Sequence, residues 1–132
     1  MLYRPFGQTG ERVSALGFGC MRLPVLDDQE ERIDEKEGTK ILRRAIDLGV
    51  NYVDTAYPYH QGMSEPFVGR ALQEGYREKV FLATKLPSWE IQYASDCDWY
   101  LNAQLERLQT KQIDCYLLHN IKKQWWEHLL QC

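Results

Sequence analysis

Four times along this chain a short apolar run is followed by a segment with helical periodicity, and no other feature restricts the fold as strongly. The runs are Val13-Ser14-Ala15-Leu16-Gly17-Phe18-Gly19, Asn51-Tyr52-Val53-Asp54, Val80-Phe81-Leu82-Ala83-Thr84 and Ile113-Asp114-Cys115-Tyr116-Leu117-Leu118. They are mostly apolar rather than alternating, as in strands covered on both faces. The segments between them carry helix signals. Asp34, with Glu37 three residues on, reads as a helix start. Ile41, Leu42, Ala45, Ile46 and Leu48 then line one face until Gly49 ends it. Ser64-Glu65-Pro66 opens a second helix, because proline is tolerated in a first turn, and Gly75 stops it. Asp96 is placed to cap a third helix carrying Leu101, Leu105 and Leu108, and a last helix lies around Trp125 to Leu130. The alternation predicts an α/β fold with a parallel sheet in sequential order and crossover helices on its outer side. In front of it, Leu2–Phe6 and Glu11–Val13 flank Gly7-Gln8-Thr9-Gly10 and read as a small β-hairpin.

Composition narrows the class. The 132 residues suit one domain, residues 1–14 forming the hairpin and 15–132 four βα units. Sixteen basic against nineteen acidic side chains leave a formal charge of -3, which argues against a nucleic-acid partner or an anionic membrane surface. No apolar run approaches the roughly 18 residues of a membrane span, and the first residues lack a signal peptide's apolar stretch. Cys20, Cys97, Cys115 and Cys132 are far apart, so neither a zinc ribbon nor a thioredoxin-type motif is present. They read as reduced thiols of a cytoplasmic protein. His60, His119 and His128 do not sit at metal-ligand spacing.

Polar residues collect where the apolar runs end. Asp54 ends the second run and Tyr59 lies in the loop after it; Lys85 follows the third and His119 the fourth. In a barrel of βα units that rim is where active sites are built. Taken singly, each has a plain structural reading: Asp54 bonding the next turn, Tyr59 a loop aromatic, Lys85 a solvated strand end, His119 a core histidine. Together the four residue types suit carbonyl reduction. A hydride arriving at a carbonyl carbon leaves charge on oxygen, so an acid must supply a proton. A free phenol, with a pKa of about 10, is a weak acid near neutrality. A neighbouring ammonium favours its ionised form. Lys85 is the candidate ammonium for Tyr59, Asp54 the partner that holds Lys85, and His119 a hydrogen-bond donor to the substrate oxygen.

The segment Gly49-Val50-Asn51-Tyr52-Val53-Asp54-Thr55-Ala56, continued by Tyr57-Pro58-Tyr59-His60-Gln61-Gly62-Met63-Ser64-Glu65, resembles the aldo-keto reductase signature. So do Ala83-Thr84-Lys85-Leu86-Pro87 and Leu117-Leu118-His119-Asn120, and Leu16-Gly17-Phe18-Gly19-Cys20-Met21-Arg22-Leu23-Pro24 resembles the family's first strand and cofactor-side loop. The four motifs occur in family order over nearly the whole chain. The resemblance implies an oxidoreductase on a parallel (βα) barrel of TIM type that reduces aldehydes or ketones with NADPH or NADH. Residue by residue, Tyr59 matches the family's proton donor, Lys85 and Asp54 the groups that tune it, and His119 the substrate-orienting histidine. Met21, Arg22 and Asp54 fall where the family approaches the nicotinamide.

A whole barrel of this type takes about 250 residues, and four βα units make half of one. The resemblance assigns the carboxamide and adenosine-phosphate contacts to later strands, and Gly17-Phe18-Gly19 lacks the third glycine of a Rossmann phosphate loop. The expectation is therefore a truncated reductase, with an acid–base set but an incomplete cofactor site and little or no turnover by itself. The first and fourth barrel strands would be open edges, and such edges invite pairing. The alternative is a non-catalytic half-barrel module that self-associates into a homo-oligomer or binds a partner.

Overall fold

The computed structural model describes residues 1–131. Strands β1 (Tyr3–Pro5) and β2 (Arg12–Ser14) form the antiparallel hairpin. Then β3 (Phe18–Gly19), helix α1 (Glu35–Asp47), β4 (Tyr52–Asp54), α2 (Ser64–Ala71), β5 (Phe81–Pro87), α3 (Ala94–Arg107), β6 (Cys115–His119) and α4 (Lys123–Leu129) follow in turn. The four later strands make one sheet in the order β3-β4-β5-β6, every neighbouring pair parallel. This is the sequential half-barrel arrangement that the alternation predicts.

Several boundaries differ from the sequence reading. The run Val13–Gly19 is not one strand: its start belongs to the hairpin and only Phe18–Gly19 joins the barrel sheet. β5 runs on through Leu86 and Pro87, because β6 pairs with it as far as Pro87 opposite His119. Asp96 stands inside the first turn of α3 rather than before it. Its carboxylate accepts from the amides of Gln92 and Tyr93, 2.8 Å each, so it satisfies donors ahead of the helix. Asp34 does cap α1, accepting from the Glu37 amide at 3.0 Å.

The core lies between the sheet and its helices. Leu42 and Ile46 of α1, Phe67 and Val68 of α2, and Leu108 just past α3 pack against Val53 and Leu82 of the sheet. The hairpin closes the N-terminal end, where Phe6 meets Tyr52 edge-on at 6.0 Å and Phe81 at 6.4 Å. It is tied on by Asn51, whose side chain accepts from the Ser14 amide at 2.6 Å and donates to Arg12 O at 3.0 Å. β6 departs from the expected coverage on both faces. Tyr116, Leu117 and Leu118 are exposed, because among the described residues no strand pairs beyond β6.

Helices α2 and α3 touch backbone to backbone. A Cβ at Gly69 would stand 2.7 Å from the Leu108 carbonyl carbon and 2.8 Å from Arg107 O. Backbone cannot swing aside as a side chain can, so alanine at this position must push the end of α3 outward. Gly69→Ala is expected to destabilise the chain by about 1–3 kcal/mol, as overpacking does, although alanine is the better helix former by about 1 kcal/mol. Denaturant unfolding checks this; an unchanged or raised midpoint contradicts the close approach.

Candidate active site

Parallel register decides which side chains share a face. Asp54 pairs with Ala83, and Ala83 with Cys115. Side chains alternate along a strand, so Lys85, two residues past Ala83, and His119, four past Cys115, stand on the Asp54 face. They lie progressively nearer the C-terminal rim. Tyr59 comes from the loop after β4. The next two residues, His60 and Gln61, both take the left-handed conformation, with φ of 54° and 51°.

Lys85 is the hub. Its Nζ donates to Asp54 Oδ2 at 2.7 Å, to Thr55 O at 2.7 Å and to Tyr59 Oη at 3.2 Å. It also sits 4.7 Å from the Tyr59 ring centroid. The His119 ring meets Tyr59 edge-on at 5.8 Å and lies tilted against Trp89 at 5.2 Å. His119 Nδ1 is buried without a hydrogen-bond partner. Burial, with the Lys85 ammonium adding to it, holds the imidazole below its ordinary range, while Asp54 pulls the other way. Asp54, Tyr59, Lys85 and His119 thus form one cluster of side chains at the rim.

Met21 and Arg22 lie in the loop after β3, at the same rim, and both are exposed. This loop is held from below by His60. Its Nε2 accepts from the Leu23 amide at 3.0 Å, which leaves the proton on Nδ1, 2.7 Å from Glu30 O. Just before the loop, Cys20 is fully buried, and burial pushes its thiol well above the usual range. Among the described residues no disulfide joins Cys20, Cys97 or Cys115, while Cys132 lies outside them.

Sequence reasoning gave the groups behind this cluster no part in the site, Ser64 and Glu65 being read as a helix start. Glu65 is fully buried on the helix side of the sheet. It accepts from Thr84 Oγ1 at 2.6 Å, Gln104 Nε2 at 2.6 Å and Arg107 Nε at 2.7 Å. Thr55 and Ser64 share a hydrogen bond of 2.9 Å, and Ser64 donates to Cys20 O at 3.0 Å. The available signal was a lone carboxylate on the apolar face of α2, with Thr84 beside Lys85.

The model of the Aldo/keto reductase family matches residues 15–129. The chain belongs to the aldo/keto reductase family. It is 32% identical over 126 residues to the probable aldo-keto reductase 1 of Glycine max, covering 87% of this chain and 35% of that protein. Among solved structures it resembles the holo form of aldo-keto reductase AKR11C1 from Bacillus halodurans, with a TM-score of 0.73 and 36% identity over 89% of this chain and 40% of that one. It also resembles an aldo-keto reductase from Klebsiella pneumoniae in complex with NADPH, with a TM-score of 0.71 and 32% identity over 83% of this chain and 36% of that one. The chain spans well under half the length of the curated relatives it matches. Among the described residues no helix is long and apolar enough to cross a membrane.

The state of His119 generates a pH prediction. In the unfolded chain it takes up a proton near the ordinary histidine value of about 6.5; in the folded chain it does so only at lower pH. Below that ordinary value the unfolded state therefore binds more protons, and stability falls as pH falls. Above it both states are neutral and His119 contributes no slope. His119→Gln is expected to flatten the decline in unfolding free energy between about pH 7 and about pH 5. Equal slopes for the two proteins count against the burial of the ring.

Proposed function

We propose that the rim pocket is the acid–base centre of an NADPH- or NADH-dependent reductase of aldehydes or ketones. The observation that carries this reading is Lys85 Nζ lying between Asp54 Oδ2 at 2.7 Å and Tyr59 Oη at 3.2 Å. Tyr59 donates its phenolic proton to the oxygen of the carbonyl as negative charge develops there. The Lys85 ammonium stabilises the phenolate left behind, and Asp54 holds that ammonium in place. His119, held neutral, orients the substrate oxygen through a ring N–H. Trp89, packed on His119, keeps water from one side of the ring.

The pocket suits the nicotinamide end of a cofactor. It combines an unpartnered buried nitrogen on His119 with a proton-donating phenol beside an ammonium. When bound, that cofactor supplies the hydride. Met21 and Arg22, on the loop steadied by His60, and Asp54 are the residues we assign to holding it. Cys20, Cys97 and Cys115, with no disulfide between them, fit a reducing, cytoplasmic setting.

The chain's residues are best tested within a whole barrel, by exchanging residues 15–129 for the matching segment of a family relative. NADPH oxidation with a panel of aldehydes is the expected activity, and Tyr59→Phe is expected to lower it by about 10²–10⁴-fold, the contribution of a positioned acid. Turnover that survives Tyr59→Phe overturns the assignment.

A second reading, self-association, is favoured by the exposed residues Tyr116, Leu117 and Leu118 on β6, the edge strand of the sheet among the described residues. An apolar edge of this kind pairs readily with another chain. The 132-residue chain is expected to sediment partly as a dimer or larger species, and Leu117→Lys to shift it toward monomer. A monomer at all concentrations tested contradicts this reading.

A further inference from the structure

We infer that the Glu65–Arg107 pair is a positioning device for Tyr59: Arg107 reaches from α3 to clamp both ends of the loop that carries it, and Glu65 fixes the aim of Arg107. The inference rests on the reading of Tyr59 as proton donor. Glu65 is 0% exposed, so its charge needs full compensation where it lies. Thr84 and Gln104 donate to Oε1, and Arg107 Nε donates to Oε2. That contact leaves the outer nitrogen of the guanidinium free to donate to Tyr57 O at 3.4 Å and to Gly62 O. Those carbonyls lie two residues before Tyr59 and three after it, on either side of the left-handed pair His60 and Gln61. The guanidinium also lies over the Tyr57 ring, 4.7 Å from its centroid.

The same carboxylate reaches the other pocket strands. Thr84 directly precedes Lys85, Gln104 Nε2 donates to Lys85 O at 3.1 Å, and Tyr116 donates to Gln104 Oε1 at 2.7 Å. One buried charge is thereby linked to the backbone around Tyr59 and Lys85 and to the strand that ends in His119. Stability alone does not call for such a group, since a buried ion pair is often no better than apolar side chains of the same volume. A planar fork with donors at fixed angles supplies direction as well as charge.

The sheet offers a matched control. Arg77 pairs with Asp114 at 2.7 Å, also largely buried, but at the N-terminal end and away from the rim. The experiment is NMR of the 132-residue chain labelled with ¹³Cζ-tyrosine, the Tyr59 resonance being identified by its loss in Tyr59→Phe. Arg107→Met and Arg107→Lys are expected to displace that resonance by an amount comparable with the displacement in Lys85→Met. Arg77→Met is expected to lower the melting temperature similarly and leave the resonance in place. Arg107→Lys keeps a charge for Glu65 but lacks the fork, and it carries the test if Arg107→Met does not fold. Movement with Lys85→Met but not with the Arg107 variants overturns the clamp alone. Equal movement with Arg77→Met also overturns it, as a merely structural effect. No movement even with Lys85→Met overturns the reading of the Lys85–Tyr59 pair, and the clamp with it.

Discussion

Parallel, in-register pairing of β4, β5 and β6 is the constraint on which the rest of the molecule depends. It places Asp54, Lys85 and His119 on one face at successive heights. A shift of one residue in either pairing would turn a polar end group toward the helices and an apolar one toward the rim. The hydrophobic pattern guards against that shift. Val53, Leu82, Thr84 and Leu86 occupy the helix side and are all buried. The apolar core therefore specifies where the reactive groups stand without touching them.

The two faces of the sheet do different electrostatic work. On the rim side the Lys85 ammonium is shared among a carboxylate, a backbone carbonyl and a phenol, and it remains partly open to solvent. On the helix side the Glu65 carboxylate is closed off and fully satisfied. Gly69 supports the second arrangement, since its missing side chain lets the end of α3, with Arg107, come down onto α2.

The sheet order and the clustering of polar side chains at the strand ends were legible because each rests on local pattern: apolar runs, caps, and polar residues at run ends. Asp34 and the hairpin glycines act through neighbours a few residues away, so a linear reading finds them. What was not legible acts at long range. Nothing near Asp96 in the sequence says that its carboxylate turns back to Gln92 and Tyr93. The length of β5 is set by β6, some thirty residues later. Glu65, Gln104 and Arg107 meet only because α2 and α3 are packed together, and no periodicity marks a buried charge as such. The breaking of Val13–Gly19 into two strands likewise depends on the hairpin being drawn to Asn51.

The turn after Tyr59 bears on where sequence change is tolerated. Two adjacent left-handed residues without the freedom of glycine cost on the order of 1–3 kcal/mol each, and His60 is anchored on both ring nitrogens. Insertions or deletions between Tyr57 and Gly62 would break that handedness and the anchors together. The exposed stretch at 26–32 carries the same burden: Asp27 and Asp28 are also left-handed, with φ of 53° and 54°, and Glu30 O within it meets His60 Nδ1 at 2.7 Å. The tyrosine's loop and the loop after β3 are thus coupled in length, since each supplies the other's anchor.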